Sequence, residues 1–212
     1  MSKKSLAFTL SEVLLTMTVV GVVAAMTIPT LHYQKVRKEY TAKLKNFYSH
    51  MENAILDMQA EKGSFKDLRE PGSYHDSYLW YLENIDPYYG HAFVKDNGDS
   101  SNNKVYLKDG SMITQFYPGR CMYIDYDING DKGPNAMGRD RFRFLFCFTD
   151  ASRTSWFGNK EFFFGPYCGP SMSAAGTSRQ ALINQCKSSK MYCTCLLQND
   201  QWEFKDDYPL PF

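Results

Sequence analysis

Oxygen-bearing side chains at alternate positions are the first feature of this sequence that could hold a ligand. Residues 125–130 read Asp-Tyr-Asp-Ile-Asn-Gly, the order that opens a calcium-binding loop, in which carboxylate and amide oxygens surround the ion and glycine allows a sharp turn. The twelfth position is Ala136 where a bidentate glutamate is usual, so a later carboxylate would have to complete the site. The predicted calcium ligands are Asp125, Asp127, Asn129 and Asp140. The alternative is a turn that ends a strand, with the same side chains bonded to nearby backbone.

Known catalytic motifs are absent from the sequence. It contains no His-Glu-x-x-His zinc motif, no Gly-x-Ser-x-Gly nucleophile motif and no glycine-rich phosphate loop. The four histidines are scattered, and the cysteines include no Cys-x-x-Cys pair of the kind that binds zinc or exchanges disulfides. We therefore expect a protein that is not an enzyme.

The six cysteines all lie in the second half of the chain, which is typical of a domain exported to an oxidising compartment. Cys186 and Cys193 would close a short loop, so they are the first candidates for a disulfide. Cys193 and Cys195 are too close in the chain to pair readily with each other. The alternative is that some cysteines are free and act as small buried apolar residues.

Glu12 is the one charged residue in a long apolar stretch from Phe8 to Leu31. About 20 apolar residues of helix cross a bilayer, so this stretch is long enough to span one. An ionised carboxylate costs roughly 2.5–3.5 kcal/mol at the bilayer centre on insertion scales, and less near an end. Either Glu12 reaches the membrane surface with its side chain, or a cation compensates it inside the membrane.

The N-terminus resembles the processing signal of type IV prepilins and of type II secretion pseudopilins. These signals consist of a short basic leader, a small residue, then phenylalanine, with glutamate fifth in the mature chain. Here residues 1–6 contain two lysines, Ala7 and Phe8 flank the cut, and Glu12 is fifth after it. The usual residue before the cut is glycine, where this chain has alanine. Gly21 and Pro29 lie in the apolar stretch as they do in that family.

The resemblance implies that prepilin peptidase removes a leader of residues 1–7 and methylates the new amine of Phe8. It implies a helix at 8–31 that spans the bacterial inner membrane with a cytoplasmic N-terminus, and a pilin-like domain at 32–212 outside the cytoplasm. Subunits would stack through their helices into a pilus or pseudopilus, with Glu12 paired to the Phe8 amine of a neighbour. Some secretion pseudopilins also bind calcium in the globular domain. The alternative function is a signal-anchored exported binding domain that never polymerises.

The apolar stretch continues into an amphipathic helix. After Leu31, apolar residues recur every three or four positions as far as Met58, which is one stripe of an α-helix. Gly63 is the predicted C-terminal stop. Pro29 removes one backbone hydrogen bond and is expected to kink the helix, with Gly21 as a second soft point.

The rest of the chain predicts an antiparallel sheet that packs on this stripe. Strand-like runs at 104–108, 111–117, 121–128 and 142–149 are separated by turn residues, and Asp109-Gly110 predicts a tight hairpin. Segment 91–103 is polar and predicts a loop, 177–187 predicts a helix, and 192–197 favours another strand. Phe162-Phe163-Phe164 is either core or an exposed contact patch. The predicted fold class is therefore α+β, with a long kinked N-terminal helix on an antiparallel sheet and a disulfide-bearing C-terminal region, an architecture that resembles the pilin-like fold.

Composition excludes one further class of function. The 212 residues carry a formal net charge of +1, so nothing favours nucleic-acid binding. Hydrophobic residues make up 43% of the chain, enough for about one ordinary domain beyond the apolar stretch.

Overall fold

The computed structural model describes residues 9–159, 161–169 and 176–211, with the backbone alone at Lys66. Two compact units divide the chain, one that ends at Glu39 and one from Tyr40 to Pro211. The α-helices are α1 (Leu10–Lys62), α2 (Tyr74–Asn84), α3 (Asp86–Tyr89), α4 (Asp150–Phe157), α5 (Arg179–Ser188) and α6 (Cys193–Asn199), with short 3-10 turns at Phe65–Asp67 and Lys190–Tyr192. The strands are β1 (Phe93–Lys95), β2 (Lys104–Tyr106), β3 (Met112–Tyr117), β4 (Cys121–Asp127), β5 (Arg141–Cys147) and β6 (Phe164–Pro166).

The predicted long helix is confirmed as α1, which runs for 53 residues and contains both Gly21 and Pro29. It ends where the sequence predicted, because Gly63 has a left-handed φ of 88° and donates its N–H to the carbonyl of Gln59 at 3.0 Å. The stripe in its second half is buried, at Leu44, Phe47, Met51, Ala54, Ile55 and Met58.

The six strands form one antiparallel sheet in chain order, from β1 at one edge to β6 at the other. The hairpin predicted at Asp109-Gly110 joins β2 to β3, and Gly110 has a φ of 81° that favours glycine. The Asp109 carboxylate accepts the N–H of Ser111 at 3.0 Å, which holds the turn. Strands that neighbour each other in the sheet are thus consecutive in the chain, and the connection from β5 to β6 contains α4.

Aromatic side chains fill the space between α1 and the sheet. Phe47 is buried and stacks on Tyr126 of β4, with ring centroids 3.9 Å apart. Its ring also lies 5.2 Å from that of Phe144 on β5, which in turn stacks on Phe164 of β6. Phenylalanine alternates with other residues along β5, so one face of this strand supplies core rings. The other face carries Arg141 and Arg143, and then Leu145 and Cys147, which are buried in a second apolar cluster.

Three disulfides tie the sheet and the C-terminal helices, and they use all six cysteines. Cys186 pairs with Cys193, the pair that the sequence favoured, and links α5 to α6. The other two pairs, Cys121–Cys147 between β4 and β5 and Cys168–Cys195 at α6, follow from the tertiary arrangement.

Two assignments made from the sequence differ from the structure, and one strand lies where the sequence predicts none. The predicted loop at 91–103 contains β1, a three-residue exposed edge strand too short to show an alternating pattern. Segment 192–197 is not a strand: α6 begins at Cys193, and a short apolar run cannot be assigned to helix or strand by periodicity alone. β6 lies in segment 158–170, where glycine and proline interrupt the aromatic residues and periodicity predicts neither helix nor strand.

Candidate functional site

The N-terminal end of α1 carries the candidate assembly residue. The predicted processing residues, Ala7 and Phe8, lie outside the described residues, so the cut remains a prediction. Glu12 is in the first turn of α1, and its Oε2 accepts the backbone N–H and the hydroxyl of Thr9, at 2.8 and 2.7 Å. Thr9 Oγ1 accepts the Glu12 N–H at 3.3 Å in return. This reciprocal pair is a capping box, which satisfies donors at the start of a helix.

The first part of α1 is apolar and exposed on all sides. The large apolar side chains between Leu10 and Leu31 are 41–78% exposed. The helix is long and apolar enough to be a membrane anchor or a signal sequence. A helix that is apolar all round needs lipid or other protein to cover it.

Polar groups within this apolar segment are satisfied inside the helix. The hydroxyls of Thr16, Thr18 and Thr27 donate to carbonyls one turn earlier, at 2.6–2.9 Å. Thr30 donates to the Met26 carbonyl at 3.4 Å, next to the position where Pro29 lacks an N–H. Internal bonding of this kind makes the segment compatible with a medium that offers no hydrogen bonds. A kink at Pro29 or Gly21 stays a prediction.

The first predicted calcium ligand, Asp125, is already paired. Arg143 lies directly opposite on β5, and its Nε and Nη2 donate to the two oxygens of Asp125 at 2.7 and 3.0 Å. The side chains are 2% and 15% exposed, so this is a buried two-point ion pair. The guanidinium also lies over the rings of Tyr117 and Tyr123. Both oxygens of Asp125 therefore already accept hydrogen bonds from Arg143, and its role as a calcium ligand stays a prediction.

Asp127 and Asp140 lie together at the end of β4. Asp127 is fully buried, and its Oδ2 accepts a long hydrogen bond of 3.5 Å from Arg141 Nε. Burial and the charge of Asp140 raise the pKa of Asp127 to about 7. Asp140 accepts the N–H groups of Asn135 and Ala136 at 2.8 and 2.7 Å. This carboxylate thus closes the β4–β5 loop.

Amide groups complete the loop. Asn129 donates its Nδ2 to Asp140 at 3.3 Å and its backbone N–H to Asp127 at 3.3 Å. In the amide orientation that the neighbouring acceptors require, Asn135 Nδ2 donates to Asp127 Oδ2 at 2.9 Å. Within the described ranges, no three acidic, histidine or cysteine side chains converge as a metal site would require. Three of the four predicted ligands meet in this loop. N–H donors occupy the carboxylate oxygens of Asp127 and Asp140, whereas the buried Oδ1 of Asn129 accepts no hydrogen bond from the described residues.

Two residues that matter here were not singled out from the sequence. Thr9 is the first, although Thr-x-x-Glu before an apolar run is the sequence pattern of a capping box. Arg143 is the second, and the alternation of phenylalanine with other residues predicts only that it lies in a strand. Its pairing with Asp125 depends on the β4–β5 register, for which the sequence carries no direct signal.

The fold defines the chain as an α+β protein with an exposed apolar N-terminal helix and a disulfide-linked sheet domain. A family model described as a family of unknown function, DUF6613, matches residues 30–212, and the chain belongs to this family. The matched region begins inside α1, so Glu12 and the apolar segment before Thr30 lie outside it. Comparisons with curated proteins and with solved structures give no match.

Proposed function

We propose that the chain is a prepilin-like subunit of a type IV pilus or a type II secretion pseudopilus. Prepilin peptidase would cut between Ala7 and Phe8, and α1 would then hold the subunit in the bacterial inner membrane before assembly. The observation that carries the proposal is Glu12, an acid in the first turn of a helix whose apolar surface is exposed all round. The disulfides of the sheet domain support its export to an oxidising compartment.

The exposed apolar surface suits both a subunit held in the membrane and a subunit packed in a filament. Lipid can cover the first part of α1 while the subunit waits, and the same surface of other copies can cover it in a filament. The threonine hydroxyls bond inside the helix, so neither environment has to supply partners for them. A transfer from lipid to a helix bundle then changes packing without exposing polar groups.

In this proposal Glu12 sets the axial register between neighbouring helices. The capping box gives its carboxylate two hydrogen bonds from Thr9, but no basic side chain of the described residues pairs with it. The amine of Phe8, once the leader is removed, would be a cation of the right kind on a neighbouring copy. Pairing the first and fifth residues of two parallel helices offsets them by about 6 Å along the axis. Such a pair stabilises one offset over all others, because any slip leaves a charge unpaired in an apolar medium.

The test combines mass spectrometry of the N-terminal peptide with two substitutions. A methylated Phe8 at the start of the mature chain is expected, whereas an intact Met1 would favour the signal-anchored exported binding domain. Glu12→Gln keeps the capping acceptor and loses the charge, and Glu12→Ala loses both. We expect both variants to be absent from sheared filaments although Phe8 is processed in each. Incorporation of Glu12→Gln at the native level would show that capping suffices and that the register role is wrong.

A further inference from the structure

An open groove in the sheet domain carries both charge and exposed apolar surface. It has a volume of about 390 Å³ and lies between α1 and the segment before β6. Glu52 and Leu56, one turn apart, come from α1, while Glu161 and Phe162 come from the other wall. These four residues define the acidic groove. Leu56 is 62% and Phe162 is 53% exposed, so its apolar surface is accessible.

The acidic groove resolves the two interpretations of the phenylalanine triplet. Phe164 of β6 belongs to the core and packs on Phe144 of β5. Phe162 is exposed and lines the groove together with Leu56. A large exposed ring beside an exposed leucine, with polar residues around them, is the usual composition of a contact surface.

The charges of the groove specify the chemistry of its partner. Its described lining residues include two carboxylates and no basic side chain. Burial raises the pKa of Glu52, so its ionised form is disfavoured in the isolated chain although the Tyr48 hydroxyl acts in the opposite direction. A cation next to Glu52 would relieve that cost. The groove therefore fits a segment with apolar and basic side chains on one face.

The chain itself contains such a segment in α1. Leu31, Lys35 and Lys38 are spaced four and three residues apart, which places them on one face of the helix. All three are exposed, with Leu31 at 63%. This set of residues is the basic face.

We infer that the basic face of one copy docks in the acidic groove of a second copy. Lys35 and Lys38 would pair with Glu52 and Glu161, and Leu31 would pack on the exposed apolar residues of the groove. The inference rests on the proposed function, because assembly into a filament is what brings parallel copies of α1 together. It adds a contact between the sheet domain of one subunit and the helix of another, from Leu31 at the end of the membrane segment to Lys38. The two helices are then offset by about 29 Å along the axis, so the docked copy is a more distant neighbour than the copy that pairs Phe8 with Glu12.

Cross-linking between two differently tagged copies of the full chain tests this contact. One copy carries Gln34→Cys beside the basic face, and the other carries Asn53→Cys in the groove, so all residues of the proposed contact are retained. The native cysteines are all in disulfides and do not compete for a bismaleimide. The control replaces Asn53→Cys by Lys95→Cys on β1, at the opposite edge of the sheet from β6. Both pairs are expressed in cells with the processing machinery.

A reduction-resistant dimer is expected for the test pair and not for the control pair. Adding Glu52→Lys and Glu161→Lys to the second copy is expected to remove it. Equal cross-linking of both pairs, a dimer that survives this charge reversal, or a product that joins Asn53→Cys to a different protein would overturn the inference.

The state of Phe8 in the same samples separates this inference from the proposed function. A processed Phe8 without the dimer overturns the docking contact and leaves the filament proposal standing. The dimer with an unprocessed N-terminus supports the contact between anchored copies and overturns the filament proposal. An unprocessed N-terminus without the dimer overturns both.

Discussion

Replacing Asp125 by asparagine is expected to destabilise the sheet domain strongly, because Asp125 holds the buried guanidinium of Arg143. The substitution keeps the size of the side chain and removes its charge. Loss of one partner from a buried ion pair costs about 3–5 kcal/mol, since the other charge stays buried without compensation. Arg143 is 15% exposed and still lies over two tyrosine rings, so we expect the lower end, about 3 kcal/mol. In a domain of this size that corresponds to a fall in Tm of about 6–12 °C.

The assay is urea and thermal unfolding of the full chain in detergent micelles, followed by tryptophan fluorescence. Asp131→Asn is the matched control, because Asp131 is in the same stretch but 58% exposed, and its pair with Lys104 is worth about 1 kcal/mol or less. Asp125→Leu combined with Arg143→Met is expected to recover most of the loss, as apolar pairs often replace buried ion pairs.

Each measurement is repeated with millimolar calcium. Asp125→Asn is expected to lower the free energy of unfolding by the same amount with and without the ion, since the carboxylate binds Arg143. A cost no larger than that of Asp131→Asn would refute the ion-pair argument. A loss of stability that appears only with calcium would show that Asp125 acts as a metal ligand.

Three further predictions concern the same domain and use the same unfolding assay. Phe47→Ala removes a buried ring that stacks on Tyr126, and is expected to cost about 3–5 kcal/mol, against about 0.5 kcal/mol or less for the exposed Leu56→Ala on the same helix; equal costs would contradict the packing. Folding raises the pKa of Asp127 from 3.8 to about 7, so the folded chain binds more protons than the unfolded chain between these pH values. The free energy of unfolding is therefore expected to fall as the pH rises from about 4 to about 7. Asp127→Asn should flatten this dependence, and an unchanged slope would argue against a buried protonated carboxyl. Removal of the Cys121–Cys147 disulfide is expected to cost about 3.6 kcal/mol and that of Cys186–Cys193 about 2.5 kcal/mol, because the longer loop restricts the unfolded chain more; the reverse order would show that native strain dominates.

Local patterns account for the parts of the fold that were predicted correctly. The stripe of α1, its end at Gly63 and the hairpin at Asp109-Gly110 each depend on residues within a few positions of one another. The errors fell where a pattern was too short to distinguish helix from strand, as at α6, or where an edge strand carried few apolar residues, as at β1. Burial against distant parts of the chain decides the structure of α6, whereas β1 is exposed and is held by its backbone pairing with β2.

The sequence by itself determined a long helix with an apolar first part, a single acid in its first turn and an amphipathic second part, because helix periodicity and caps act over one or two turns. The tertiary structure alone decided that Asp125 bonds Arg143 while Asp127 meets Asp140, and that Phe164 is core while Phe162 is exposed. These outcomes depend on strand register and on which elements cover each face. A shift of one residue in register exchanges the two faces of a strand, so the partners of a side chain follow from the packing of the whole domain.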